Sequence, residues 1–192
     1  MKRNLLAYCF YFFFLSFSSC NPQGSLQDIE LPILGNPGET FSGKSISAHA
    51  ATVFVFLSPE CPLSEAYTKT ISNLFVSYKD SSVQFVSVFA GKLYSKEQIL
   101  SFRRRFDLPG QCIEDETMEL VKLLEATVTP EAFLISNKSE IIYSGAIDNW
   151  AVDLGTKRQN ITEKYLENAI AALLKGESPQ RKKTQAVGCF IE

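Results

Sequence analysis

The stretch LSPECPLSEAY at residues 57–67 decides how the rest of this chain is read. The run before it, TVFVFL, is continuously β-branched and aromatic, the composition of a strand buried on both faces. After it, Leu63, Tyr67, Ile71, Leu74, Phe75 and Tyr78 recur at helical spacing. Cys61 therefore falls where a strand ends and a helix begins. Pro62 suits the first helical position, where its missing N–H costs nothing. Unpaired N–H groups and the helix dipole at such a point stabilise a thiolate, drawing its pKa from about 8.5 towards ~3.5–7.5. At the end of a parallel strand the sulfur would stand, reachable, at the mouth of the crevice where α/β folds place their sites. A buried structural cysteine is the alternative, and the flanking prolines speak against it. Glu60, if close, would oppose the activation.

The pattern continues on both sides. VQFVSVFA at residues 83–90 reads as a second buried strand. SKEQILSFRRRF reads as a helix, with Ser95 as N-cap and Glu97 placed to favour the dipole. LPGQCIED turns into a short strand carrying Cys112 and Asp115, and ETMELVKLLEA is a helix with Met118, Val121 and Leu124 on one face. TVTPEAFLIS, NKSE and IIYSG give strand, tight turn and strand, an antiparallel hairpin. An irregular polar stretch from Ala146 to Ile161 leads to a helix starting near Thr162. Its apolar face carries Tyr165, Leu166, Ala169, Ile170, Leu173 and Leu174. Upstream, IELPILGNPGETFSG suggests irregular or edge strands. Strands separated by helices pair in parallel through right-handed crossovers, and the hairpin adds antiparallel strands. The expected class is α/β, a central mixed β-sheet flanked by helices on both faces.

The length of 192 residues suits one domain with a sizeable core, plus extensions. A formal charge of −2 gives no electrostatic reason to expect nucleic acid as partner. The run Arg103, Arg104, Arg105 reads as a solvated helix face. At the N-terminus, Lys2 and Arg3 precede an uncharged apolar run that ends in small residues before Cys20. That is the layout of a secretory signal, and the run is short for a membrane span. FSSC resembles a bacterial lipobox, whose cysteine is lipid-modified and becomes the new N-terminus; a plain signal or an uncleaved anchor is the alternative.

The expected organisation is a signal peptide at 1–19 and a tether at 20–28 with Cys20 acylated. A domain at 29–176 follows, then a C-terminal tail at 177–192 holding Cys189 in the apolar island AVGCFI. The chain would be lipid-anchored to a bacterial membrane in the cell envelope, facing the periplasmic or external space. Disulfides persist there, and Cys61, Cys112 and Cys189 are the thiols left. A single histidine, His49, excludes a multi-histidine metal site, and neither a metal nor another cofactor is expected.

Strand, Cys61-Pro62, helix, and then Thr129-Pro130 entering the hairpin strand together resemble the thioredoxin fold. The closest likeness is to its exported redoxin branch, which includes alkyl hydroperoxide reductase/thiol-specific antioxidant relatives and thiol–disulfide oxidoreductases. It covers about residues 29–174 and extends to ECPLSEAY, TPEAFLI, YSGAID and a tail like TQAVGCFI. The resemblance implies a cis Pro130 that packs, with Thr129, against the sulfur of a catalytic Cys61. Two departures stand out. Ser64 occupies the position of the second cysteine of thioredoxin-type exchange, so Cys61 can attack but cannot resolve locally. Peroxide-reducing relatives place Thr or Ser three residues before their cysteine, a Pro further upstream and a distant Arg. Ser58 fits the first, Phe54 replaces the Pro, and none of Arg103, Arg104, Arg105 or Arg158 is assignable as the Arg.

Resolution then falls to Cys189, Cys112 or an outside thiol. Cys189 is the better candidate, because its apolar island ends a polar tail and Gly188 frees the backbone to approach closely. Cys112 is either a secondary partner on the rim of Cys61 or a buried structural thiol. Trp150 and Asp148 either wall a substrate groove or pack on the surface, and His49 reads as structural. The expectation is a membrane-anchored thiol–disulfide oxidoreductase of antioxidant type. Its substrate would be a disulfide-containing protein or a hydroperoxide, its reductant an external thiol. Cu(I) held by the Cys61 and Cys189 thiolates, since Glu65 stands where copper carriers have a second cysteine, is one alternative. A catalytically silent interaction module is the other.

Overall fold

The computed structural model of the chain describes residues 24–192. The expected signal peptide, Cys20 and the first part of the tether lie outside the described residues. Helices α1 (Pro62–Tyr78), α2 (Lys96–Arg105), α3 (Glu119–Leu124) and α4 (Tyr165–Leu174) alternate with strands. Strands β1 (Glu30–Pro32) and β2 (Thr40–Ser42) form an N-terminal hairpin. β3 (Ala51–Phe56), β4 (Val83–Ala90), β5 (Gln111–Asp115), β7 (Glu131–Ser136) and β8 (Ile141–Gly145) make one five-stranded sheet in the order β5-β4-β3-β7-β8. Two short pairs complete the set. β9 (Ala151–Asp153) pairs with β10 (Thr156–Lys157), and β6 (Val128–Thr129) with β11 (Cys189–Phe190).

Why β3 is central is visible in its residues. All six are buried, as a strand covered on both faces requires. It runs parallel to β4 and antiparallel to β7, while β4 and β5 are parallel and β7 and β8 form the expected hairpin. Side-chain alternation divides the core in two. Val53 and Val55 join Phe85, Phe89 and Leu134 under α1, α2 and α4, through Tyr67, Ile71, Phe102, Leu166 and Ile170. Phe54 and Phe56 face the other way, joining Val86, Val88, Phe133 and Ile135. That second layer is closed by Leu120 and Leu124 of α3 and by Leu26, Ile29, Phe41 and Ile46 from the N-terminal segment. The sheet is mixed and helices stand on both faces, but three of the four share one face.

Several local expectations are corrected. Met118 adopts a left-handed backbone and precedes α3, so the helix buries Leu120 and Leu124 rather than a Met118 face. Its start is fixed by Asp115, whose carboxylate accepts from the Glu119 and Val121 N–H groups at 2.7 and 2.9 Å. α4 begins at Tyr165, not near Thr162, because the Asn149 side chain accepts from the N–H groups of Thr162 and Glu163 and keeps them in the loop. Leu174 lies outside its apolar face, exposed. The end of the tether is folded onto the domain: Ser25 caps a short 3-10 turn, Leu26–Asp28, that buries Leu26.

The tail is also part of the fold. Lys183 bridges Ser144 on the free edge of β8, and Thr184 N–H donates to the Ser144 carbonyl at 3.0 Å. The Thr184 hydroxyl bonds Tyr143 and accepts from Ala146 N–H at 3.0 Å. Gly145 has φ +126, and a Cβ there would meet Thr184 Oγ1 at 2.6 Å, so glycine is needed on both counts. Thr184 thus pins the tail, and residues 185–192 form a short arm that reaches back across the C-terminal end of β3.

Candidate active site

Cys61 is the N-cap of α1, in extended backbone, with Pro62 in the first turn. The loop leading to it is tied down from both ends. Cys61 N–H donates to the Ser58 carbonyl at 3.2 Å, and Ser58 N–H donates to Ser64 Oγ at 3.1 Å. Ser64 is fully buried. In place of a second sulfur it supplies an acceptor that holds the approach loop. Ser58 uses its own hydroxyl to donate to Tyr94 Oη at 3.0 Å.

The Thr129–Pro130 bond is cis, and the Thr129 carbonyl stands 3.0 Å from Cys61 Sγ, able to accept from its thiol. From the tail, Cys189 brings its sulfur to 2.6 Å from Cys61 Sγ. The pairing of β11 with β6 is what aligns them: Cys189 lies opposite Thr129 and Phe190 opposite Val128. Ile191 N–H adds a bond to the Thr127 carbonyl at 3.0 Å. β6 is itself braced by Glu131, whose Oε2 accepts from Thr127 N–H at 2.8 Å and from Val128 N–H at 3.4 Å.

The two sulfurs are driven in opposite directions. Burial pushes the Cys61 thiol up, but hydrogen bonds from the Cys189 thiol and from the Ser64 and Cys189 N–H groups outweigh it and hold it below the ordinary value. The Thr129 side chain lowers it a little further, while the Thr129 carbonyl accepts from the thiol when it is protonated. Cys189 is pushed up to about 12, by burial first, then by its hydrogen bond to Cys61 and by the charge there. Cys61 is thus the more acidic sulfur of the pair, and Cys189 the one that keeps its proton.

The expected reachable sulfur is in fact covered. Cys61 is only 2% exposed, because β11 lies over it as a roof. The rim of the cleft beside it carries Leu93 and Tyr94, Gly91, and the C-terminal residues Phe190 to Glu192. Sequence reasoning reaches Phe190 and Ile191 through the island AVGCFI and misses Gly91, Leu93, Tyr94 and Glu192. Leu93 and Phe190 stand there as exposed apolar side chains, at 63% and 80%.

Other expected participants are elsewhere. Cys112 is completely buried opposite Ser87 near the start of β5, whereas the rim is formed by strand ends. It is not a partner for Cys61, and burial raises its pKa to about 11. Arg103 donates to the carbonyls of Leu34 and Gly110, and Arg105 pairs with Glu65 at 3.1 Å. Among the described residues no arginine lines the cleft. Phe54 points into the opposite core layer. Asp148 is buried and accepts from Tyr67 Oη at 2.7 Å and Trp150 N–H at 2.8 Å, fastening its loop to α1; the groove it borders, with Thr70, Leu74 and Lys164, is separate from the Cys61 cleft. His49 lies just before β3, at the end of the strand away from Cys61.

One consequence is testable at Ser64. Ser64→Cys loses the acceptor for Ser58 N–H, at a cost of about 1 kcal/mol in the reduced protein, and places a second sulfur on the first turn of α1. Peptide mapping by mass spectrometry under oxidising conditions should then find a disulfide between Cys61 and the introduced thiol, competing with Cys61–Cys189.

No protein-family model matches the chain, and no curated protein matches it by sequence. Solved structures do match by shape. A hypothetical protein of Sinorhizobium meliloti superposes with a TM-score of 0.76 at 20% identity, over 85% of this chain and 89% of that one. A secreted Mycobacterium tuberculosis disulfide oxidoreductase homologous to Escherichia coli DsbE gives 0.55 at 16% identity, over 79% and 96%. The thioredoxin domain of a Bacteroides vulgatus thiol–disulfide oxidoreductase gives 0.55 at 12% identity, over 76% and 92%. With its mixed central sheet and helices on both faces, this chain has the thioredoxin-like fold.

Proposed function

We propose that this chain is a thiol–disulfide oxidoreductase in which Cys61 attacks and Cys189 resolves. The observation that carries the reading is the 2.6 Å approach of the two sulfurs, with the first held acidic and the second held protonated. In the first step the Cys61 thiolate attacks one sulfur of a protein disulfide, and the other sulfur leaves as a thiolate. The charge on Cys61 is then gone, and with it two of the causes that raise the Cys189 pKa. Cys189 now loses its proton to the departing side and attacks Cys61 Sγ. The substrate leaves fully reduced, and the Cys61–Cys189 disulfide keeps the two electrons' worth of oxidation. Two equivalents of an external thiol restore the pair.

A disulfide suits the site better than a hydroperoxide, since Ser58 is already committed to Tyr94 and, among the described residues, no arginine lines the cleft to bind a peroxide oxygen. Copper fits poorly. At the ~2.3 Å of a typical metal–thiolate bond, two sulfurs in line across a metal stand about 4.6 Å apart. A silent interaction module has no need of two thiols driven apart in acidity. The work would be done in the cell envelope, the chain held to a bacterial membrane by lipid on Cys20.

The test is exchange of the reduced chain with oxidised glutathione, followed by peptide mapping. A Cys61–Cys189 disulfide as the main product is expected; stable glutathionylation of Cys61, or none, overturns the reading. The pH dependence has a defined sign. An ordinary thiol near 8.5 loses about twenty-fold in thiolate between pH 8 and pH 6.5. The lowered Cys61 pKa keeps more thiolate at the acid end, so the measured exchange rate should fall clearly less.

A further inference from the structure

We propose that an extended substrate segment taking the place of β11 is selected for glycine immediately before its reacting cysteine. The proposal rests on the reading of Cys61 as the attacking sulfur. While the arm is seated, Cys61 is 2% exposed and no protein disulfide can reach it. The arm must therefore lift. It is built to: residues 185–192 hang from the Thr184 anchor, only Ala186 among them is buried, and the strand contact is two residues long. Lifting it leaves the Val128–Thr129 backbone without its partner, and another extended chain restores those bonds.

What fits there can be read from what sits there. A Cβ on Gly188 would stand 2.6 Å from the Thr129 carbonyl carbon and 3.1 Å from the Thr129 nitrogen. Those are backbone atoms of the segment that also touches Cys61, so they cannot step aside as a side chain would. Gly188 has no left-handed φ, so the demand is for space, not for conformation. Any chain that takes the same register meets the same wall one residue before its cysteine. The next position faces outward, as Phe190 does at 80% exposure, and is left unrestricted. The position after that is apolar, since Ile191 packs on the core layer of Phe54 and Val88. The exposed Leu93 at the rim adds apolar surface for the incoming segment.

The exchange is balanced by the two strands themselves. The segment binds on β6, and its disulfide sulfur accepts the Cys61 thiolate and expels its former partner as a thiolate. The returning arm then competes for the same edge. As Cys189 attacks Cys61 Sγ, the segment's cysteine leaves reduced and its strand is displaced, so resolution and product release coincide.

The experiment uses the full reduced chain carrying Cys189→Ser, with a chain also carrying Cys61→Ser as blank. The probes are the peptides Ala-Val-Gly-Cys-Phe-Ile-Glu and Ala-Val-Ala-Cys-Phe-Ile-Glu, each as its mixed disulfide with thionitrobenzoate, and Ellman's reagent as a small disulfide. Release of thionitrobenzoate is followed, with each peptide's rate normalised to its reaction with free glutathione. The glycine peptide is expected to react about fivefold faster or more, the ratio produced by about 1 kcal/mol, the low end of an overpacking cost. Equal peptide rates, with Ellman's reagent reacting well above the blank, overturn the strand-site proposal and leave Cys61 as nucleophile. Rates at the blank level for all three probes overturn the reading of Cys61, and the proposal with it.

Discussion

Cys189→Ser leaves the first thiol exchange intact and lowers steady-state reduction of a protein disulfide such as insulin by about a hundredfold or more. The native resolving step is unimolecular, between sulfurs already 2.6 Å apart. Well-oriented intramolecular partners act as though present at ~10⁵ M or above, whereas an external thiol is supplied at millimolar levels. A hundredfold loss is thus a conservative expectation, with the remainder masked wherever product release limits the native cycle. Serine is the informative replacement because its hydroxyl still donates towards Cys61 and its size keeps β11 seated. The species that accumulates should be a Cys61–substrate mixed disulfide, seen as a shifted band on a non-reducing gel. Undiminished turnover in this variant would remove Cys189 from the cycle and hand resolution to an outside thiol.

The fold was legible because its decisive segments are redundant in the sequence. TVFVFL and VQFVSVFA can hardly be anything but buried strands, and Cys61-Pro62 marks the start of α1 by the chemistry of the N1 position. The hairpin of β7 and β8 is announced by NKSE between two apolar runs. AVGCFI at the end of a polar tail carries the same kind of signal, since an apolar island pairs with something. What it pairs with is a tertiary fact. By sequence TVTPEAFLIS reads as one strand, whereas β6 ends at Thr129 and pairs with β11 apart from β7, and the Gly188 contact with Thr129 joins positions 59 residues apart by number. Hence the sequence yields the partnership of Cys61 and Cys189 as one option among several, and not the burial of Cys61 that comes with it.

Misreadings follow the same division. Cys112 and Asp115 lie on one short strand, and periodicity cannot say which end of β5 meets the rim; the register with β4 places Cys112 at the start. Met118 belongs by spacing to the α3 stripe, but its left-handed backbone takes it off the helix. Ser64 reads as a missing cysteine because the loss of a sulfur is visible in sequence. The bond it accepts from Ser58 N–H is not.

Gly188→Ala tests the roof from within the chain. Its Cβ would press on the Thr129 backbone, 2.6 Å from the carbonyl carbon, and such overpacking costs about 1–3 kcal/mol. Against that, β11 is held by a two-residue pairing and a few backbone hydrogen bonds, each contributing about 0.5–1.5 kcal/mol net. The two are comparable, so the arm gives way before the domain does. The Thr184 anchor, with its bonds to Ser144, Tyr143 and Ala146, lies four residues upstream and stays in place. Cys61 then changes from a sulfur sealed under its own tail to one open at the N-terminus of α1, still receiving the Ser64 N–H. Alkylation of Cys61 by iodoacetamide, followed by mass spectrometry, should rise about tenfold or more over the native chain, the ratio that roughly 1.4 kcal/mol of lost docking produces. Formation of the Cys61–Cys189 disulfide should fall by a similar factor, while thermal unfolding moves by only a few degrees. Unchanged alkylation together with unchanged disulfide formation would mean that the arm absorbs the methyl group in place, and that the wall behind Gly188 is softer than backbone atoms at that distance allow.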